Sequence, residues 1–393
     1  MTTHFIEDEL QALKNASLYR RLRSVAGEQG PTLTVDGREV LNFSSNNYLG
    51  LANHPALREA AKIAIDRYGC GSGASRLISG NMTLHEELEA KLAELKGTEA
   101  ALVFNSGFQA NVGVISTLIG QGDAVFSDAL NHASVIDGCR LSRAKTFVYG
   151  HADLQQLDHA LKQASAFRRR LIVTETLFSM DGDEAPLKEI VDLAEKYDAM
   201  LMVDEAHATG VYGPNGAGIV SKLGLGGHVL VQMGTLGKAL GGFGAYVAGS
   251  AALRELIINR CRSFVFTTSL PPAVMAMGIA SLDLVKKEPE RRLALRSNCA
   301  RLSAGLKASG YSIADSQSQI IPLMVGDADE CMRLSEELFS RGVFAQGIRP
   351  PTVPPGTSRL RITVMATHSG EHLQRALGVF GEAAKGQRIE DRG

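Results

Sequence analysis

Leu171-Ile-Val-Thr174, the span Pro186 to Tyr197 and Met200-Leu-Met-Val203 read in succession as a short apolar strand, an amphipathic helix and a second apolar strand. Strands this short and this uniformly apolar have no wet face, so both faces must be covered. The same unit recurs outward in both directions. Upstream stand Ala100-Ala-Leu-Val-Phe104, Ala124-Val-Phe126 and Thr146-Phe-Val148, with helices over Ser134 to Leu141 and Leu154 to Ala164; downstream stands Val229-Leu-Val231. This repetition predicts an α/β fold whose large domain holds a mostly parallel seven-stranded sheet. Its seventh strand, Phe243 to Ala248, follows too closely for a helical crossover and is expected to enter antiparallel.

The flanks read differently. Apolar residues at helical spacing from Phe5 to Val25 predict an N-terminal helical arm, with Arg20, Arg21 and Arg23 near its end. Arg20 is kept as a substrate-binding candidate. Leu33 to Leu41 alternates around Asp36-Gly37, a hairpin signal, and a helix is expected to start near Pro55 and another to span Leu84 to Leu95. Beyond the sheet, a helical stretch from Ala273 to about Ala308 breaks near Glu288-Pro289. Strands at Ile320 to Val325 and Leu360 to Val364, with helices from Ala328 to Arg341 and Glu371 to Ala384, predict a small α+β domain; the tail Gln387 to Gly393 is expected to fray. The expected divisions are 1–45 for the arm and hairpin, 46–285 for the large domain and 286–393 for the small one.

Bulk properties narrow the function classes. A chain of 393 residues with a net charge of -1 offers no electrostatic attraction to nucleic acid or an anionic membrane. No apolar run is long enough to span a bilayer, and the start lacks the basic region and apolar core of a secretory signal. The 5 cysteines are scattered without a C-x-x-C pair, which argues against disulfides and thiolate zinc and fits a cytoplasmic protein.

In sheets of this kind ligands sit beyond the carboxyl ends of the strands. Those ends carry Asn105 to Phe108, Asp128 to His132, Glu175 to Ser179, Asp204 with His207, and Thr235 with Lys238. Lys238 lies among glycines and apolar residues with no acid beside it in sequence. Its ammonium is costly to desolvate unless paired or converted, and a Schiff base with an aldehyde cofactor is one such conversion. Asn105 to Asn111 opens a helix whose mouth offers amides to an anion.

Other chemistries lack parts. Asp204-Glu-Ala-His207 could belong to a helicase-type NTPase, but no G-x-x-x-x-G-K-[ST] loop precedes it. His132, Asp204 and His207 lack compact metal-ligand spacing, so no metal is expected, and no G-x-S-x-G elbow marks a hydrolase. Gly69 to Ala74 is glycine-rich, yet a helical pattern precedes it rather than the strand a dinucleotide loop needs. Pyridoxal phosphate uses all the pieces: Lys238 to hold it, Asp204 against the pyridinium nitrogen, His132 stacked on the ring, and Gly107, Phe108 and Thr235 around the phosphate.

The lysine loop, Val203 to Gly210, Glu175 to Gly182 and Asn42 to Gly50 together resemble the α-oxoamine synthases, over about Leu18 to Ala384. These are fold-type I pyridoxal phosphate transferases that condense an amino acid with an acyl-CoA and release carbon dioxide. The resemblance implies that Ser179 and His207 contact the cofactor's ring oxygen region. It also implies that Thr267 and Thr268 reach the phosphate from a partner subunit, making a homodimer with shared sites. Asn46 and Arg361 would hold the substrate carboxylate, and Thr352 would line the acyl or carboxylate region, with His132 also facing substrate. Arg361 alternates with apolar residues in Arg359-Leu-Arg-Ile-Thr363, leaving an arginine face free for a carboxylate; Arg359 is expected to be solvated. Gln346 to Thr363, and Arg349-Pro-Pro-Thr352 above all, resembles the biotin-pathway branch, which uses L-alanine and a pimeloyl thioester on coenzyme A or acyl carrier protein. Glycine with an acetyl-, succinyl- or long-chain acyl-CoA is the alternative within the family; a non-catalytic nucleotide-dependent or binding protein is the alternative outside it.

Overall fold

The computed structural model describes residues 4–16, 18–314 and 316–390, with side chains through 385. Contacts divide the chain into two compact units, one of Met1–Tyr48, Met180–Asp183 and Arg291–Gly393, the other of Leu49–Ser179 and Glu184–Glu290. The N-terminal residues thus group with the C-terminal ones, where the sequence suggests a separate arm.

The larger unit is built on a seven-stranded sheet. Its strands are β1 (Ala100–Phe104), β2 (Ala124–Asp128), β3 (Lys145–Tyr149), β4 (Arg170–Glu175), β5 (Met200–Asp204), β6 (Val231–Thr235) and β7 (Ala245–Gly249), in the order β1-β7-β6-β5-β4-β2-β3. The first six run the same way and β7 lies antiparallel between β1 and β6, as the short return after the lysine loop predicts. Two strands start later than expected: β6 is Val231–Thr235, after a 3₁₀ turn over residues 226–228, and β7 starts at Ala245.

Alternate residues of the central strands supply two cores. Val125, Leu171, Val173 and Met202 pack on one face with helix Gly107–Leu118, whereas Phe126, Ile172, Leu201 and Val203 pack on the other with helices Leu154–Gln163 and Leu187–Lys196. Burying each such side chain contributes about 1.5–3 kcal/mol, which is why both faces of these strands are apolar. The six parallel strands therefore end together on one edge.

Behind that edge, Lys96 and Glu205 form an ion pair with both side chains at 0% exposure. Lys96 also donates to the Ala217 carbonyl, and Glu205 accepts from the Val220 amide at 3.0 Å, so the pair ties the segment after β5 to the helix Thr83–Lys96. Lys96→Met should lower stability by about 3–5 kcal/mol by stranding a buried carboxylate, whereas Lys96→Met with Glu205→Met should recover most of it. Chemical denaturation of the two variants reads the difference; equal losses would contradict the pairing.

The smaller unit holds a sheet of Val25–Ala26, Thr32–Val35, Arg38–Asn42 and Val343–Phe344, and another of Ile320–Gly326, Ser358–Thr363 and Gln346–Ile348. The hairpin turns at Asp36 and Gly37 with φ of 49° and 79°, the two positive values that a type I′ turn demands. Helix Ala328–Ser340 packs on both sheets, and helix Gly370–Glu390 packs against that helix. The N-terminal helix is His4–Asn15, shorter than the periodicity suggests, and Leu22 and Val25 lie exposed beyond it. The last helix continues to Glu390, into the stretch expected to fray, and the remainder of that tail, 391–393, lies outside the described residues.

Candidate active site

β6 ends at Thr235, and the chain loops back as β7 within nine residues. Thr235 Oγ1 closes the loop, donating to the Gly244 carbonyl at 2.8 Å and accepting from the Gly237 amide at 3.1 Å. At Gly241, φ is 65° and an added Cβ would come within 2.5 Å of the Leu51 and Ala52 backbone, so only glycine fits. This folding presents Lys238 half-buried, with Nζ 2.7 Å from His207 Nε2.

Asp204, the last residue of β5, is buried. Its Oδ2 accepts from Asn111 Nδ2 and its Oδ1 from the Ala206 amide, both at 2.8 Å. Among the described residues it makes no ion pair. A buried carboxylate held only by neutral donors lacks the counter-charge that its desolvation calls for, so the place suits a cationic group.

Glu175 ends β4 and stands in register with Asp204. Burial, followed by the Asp204 charge, pushes its carboxyl up to about 8, and it accepts from the His132 amide at 2.8 Å. Such a group binds a proton in the folded state that the unfolded chain has already lost. Stability contributed by that proton is present below the ordinary value of 4.5 and is lost as pH rises toward about 8. Glu175→Gln in the cofactor-free protein should therefore flatten the decline in Tm over this window, and a variant with an unchanged Tm profile would refute the shift.

His132 caps helix Ala133–Ser142. Its Nδ1 lies 2.7 Å from Ser134 Oγ and 3.2 Å from the Ser134 amide. Partial burial of the ring, with the Lys238 charge opposing that of Asp204, holds its pKa below the ordinary value.

The helix Gly107–Leu118 begins at the end of β1, with Ser106 as its cap accepting from the Gln109 amide at 3.2 Å. The Gly107 and Phe108 amides open toward the same edge, free of backbone partners among the described residues, where a helix start favours an anion. Thr267 and Thr268 lie beside this mouth in the same chain, through Asn105 Nδ2 at 3.3 Å to Thr267 Oγ1 and 2.8 Å to the Thr268 carbonyl. Ser179 is buried and its amide donates toward Glu175. Lys238, His207, Asp204, His132, Gly107, Phe108, Thr235, Ser179, Thr267 and Thr268 thus all belong to the larger unit.

The remaining candidates belong to the smaller unit. Arg361 Nη1 donates to Asn46 Oδ1 at 3.1 Å, and Nη2 lies 3.4 Å from the Tyr48 hydroxyl. Every residue of strand Ser358–Thr363 is buried, so neither arginine stands on the free face that alternation suggests. Arg359 corrects the expectation of a solvated side chain: it is buried and ion-paired with Asp181. Arg20 and Thr352 are exposed and meet at 3.4 Å on a groove of about 630 Å³ that Arg349 also lines.

Sequence reasoning misses Asn111, Ser134 and Tyr48, and lists Glu175 without a role. Asn111 carries a usable signal, a carboxamide one turn inside a mostly apolar helix. Tyr48 carries none, since its contact with Arg361 joins residues 313 apart in the chain.

A family model described as aminotransferase class I and II matches residues 38–380. The chain is 54% identical to the 8-amino-7-oxononanoate synthase of Geobacter sulfurreducens, covering 98% of each chain, and 52% identical to that of Citrifermentans bemidjiense, covering 96% of this chain and 97% of that one. Among solved structures it resembles serine palmitoyltransferase from S. paucimobilis with bound PLP and myriocin, at 34% identity and a TM-score of 0.92 over 98% of both chains. It also resembles 8-amino-7-oxononanoate synthase from Francisella tularensis, at 28% identity and a TM-score of 0.76 over 89% of this chain and 99% of that one. With the strand-end lysine, aspartate and histidines arranged as described, the chain belongs to the class I and II aminotransferase family and, within it, to the 8-amino-7-oxononanoate synthase family.

Proposed function

We propose that this protein condenses L-alanine with a pimeloyl thioester, on coenzyme A or acyl carrier protein, releasing carbon dioxide and the carrier and giving 8-amino-7-oxononanoate for biotin formation. The observation that carries the reading is Lys238 Nζ at 2.7 Å from His207 Nε2, at the same sheet edge as the unpaired carboxylate of Asp204. The choice of substrates rests on relatives about half identical to this chain and on Arg349-Pro-Pro-Thr352.

The cofactor is pyridoxal 5′-phosphate. When bound it supplies an electron sink for the charge that develops at the amino acid's α-carbon. Lys238 holds it and, as a free amine beside His207, moves the α-proton. Asp204 gives the ring nitrogen its counter-charge and so keeps it protonated. His132 packs on the ring, Ser179 and His207 serve the ring oxygen side, and the amides of Gly107 and Phe108 receive the phosphate with Thr235. Thr267 and Thr268, which lie beside the mouth of their own chain, would serve the phosphate site, and in a homodimer they would reach that of the partner.

Arg361, steadied by Asn46 and Tyr48, receives the substrate carboxylate, with His132 facing the substrate. Arg20 and Thr352 serve the acyl side. No helix among the described residues is long and apolar enough to cross a membrane.

The test is direct: purified protein is assayed with alanine, glycine and serine against pimeloyl-, acetyl-, succinyl- and palmitoyl-CoA, following carbon dioxide release. Alanine with pimeloyl-CoA should be preferred, and glycine with another acyl-CoA turning over faster would move the protein to another branch of its family.

A further inference from the structure

A chain of hydrogen bonds behind the site runs from Asp204 to His132 through two residues with no assigned role. Asn111 Nδ2 stands 2.8 Å from Asp204 Oδ2 and 2.9 Å from Ser134 Oγ, and Ser134 Oγ stands 2.7 Å from His132 Nδ1. Asp204, at one end, fixes the direction. An ionised carboxylate only accepts, so the Asn111 amide must turn its nitrogen toward Asp204. Its second N–H then points at Ser134 Oγ, which accepts it and keeps its own proton for the remaining neighbour, His132 Nδ1. The Ser134 amide reaches the same nitrogen at 3.2 Å, and a peptide N–H cannot accept. Two donors therefore converge on Nδ1.

We infer that Asn111 and Ser134 are positioning residues that hold His132 in the neutral tautomer carrying its proton on Nε2. A ring fixed in this way presents a hydrogen-bond donor on its open side, where Nε2 meets no partner among the described residues. It offers no base there. The ionic groups facing it, Asp204 and Lys238, act in opposite senses on its protonation, and burial lowers its pKa, in keeping with a neutral ring. The orienting partner that a histidine normally takes from a carboxylate is here reached through two intermediates, so the ring is oriented without gaining the charge that a direct carboxylate contact would favour. The asparagine and serine are themselves rigidly placed: Ser134 is 0% exposed, Asn111 is 1% exposed, and the two sit on helices packed against each other.

The inference rests on the assignment of His132 to the site, but its primary readout needs no turnover. The holoenzyme is labelled with 15N-histidine, and long-range proton–nitrogen spectra of its 10 histidines are recorded, with His132→Asn identifying the pair by its absence. His132 should show a protonated-type Nε2 and an unprotonated-type Nδ1. Ser134→Ala and Asn111→Ala should each shift both nitrogens toward intermediate values as the tautomers mix. In the alanine condensation, kcat should fall about tenfold, the worth of one hydrogen bond, with little change in KM. A protonated Nδ1 in the wild type, or wild-type nitrogen shifts in both variants, overturns the inference. If Asn111→Ala does not fold, Ser134→Ala decides alone, since it removes the closer donor at 2.7 Å and leaves only the longer backbone contact at 3.2 Å to hold the tautomer. Should the proposed substrates be wrong, the wild type also fails to turn them over while the nitrogen spectra still report the relay, so the two failures separate.

Discussion

Lys238→Ala is expected to lower kcat by at least about three orders of magnitude and to abolish the yellow, borohydride-fixable cofactor. The expectation follows from how the loop is built. Gly241 lets the backbone close against Leu51 and Ala52, Thr235 ties Gly237 to Gly244, and between these constraints the lysine nitrogen is delivered to His207. Alanine leaves the loop intact and removes only the amine, so folding should be preserved and the loss is chemical. Added methylamine should restore a measurable fraction of turnover. Mass spectrometry after borohydride reduction gives the second reading: a cofactor still fixed to the variant at another lysine, with near-normal kcat, would remove Lys238 from its role.

Asp204→Asn should reduce kcat by about two to three orders of magnitude, the scale seen when a fixed electrostatic partner is lost from a site. Two effects act together. The ring nitrogen of the cofactor loses the negative charge that keeps it protonated. In addition, the carboxamide has one oxygen where the carboxylate has two, so its NH₂ must face either Asn111 Nδ2 or the Ala206 amide, both of which are donors. Cofactor absorbance measured against pH separates them, because the first effect alters the spectrum of the bound cofactor and the second does not. Near-normal kcat with an unaltered spectrum would show that this carboxylate is not the ring's partner.

Much of this site is legible in the sequence because the parallel sheet imposes order on it. Once Met200-Leu-Met-Val203 is read as a buried strand, Asp204 must lie at its carboxyl end, and the same holds for Glu175 after Arg170–Glu175 and for Asp128 after Ala124–Asp128. Periodicity places each residue at that edge without saying which side chains touch. Asn111, Ser134 and Asp204 come from three separate elements, and their contact depends on how deep each helix sits on the sheet. The arginines show the opposite difficulty. Arg359 alternates with apolar neighbours just as Arg361 does, and alternation alone describes a half-wet strand; Asp181, 178 residues away in sequence, is what makes its burial tolerable. At the N-terminus, helical spacing continues through Leu18 and Leu22 although the helix stops at Asn15, because spacing measures pattern and not the presence of a surface to bury it against.

The pairing of Leu41 and Asn42 with Val343 and Phe344 also has a bearing on how the protein is made. The hairpin leaves the ribosome early and its parallel partner follows some three hundred residues later, which at about 5–20 residues per second is an interval of roughly 15–60 s. Throughout that interval the Arg38–Asn42 strand has an open edge of the kind that templates association with other chains. Nascent chains are thus most vulnerable to aggregation until about the last eighth of the message is reached. A slow codon run placed upstream of residue 343 should lower the soluble yield, whereas the same run placed after it should have little effect.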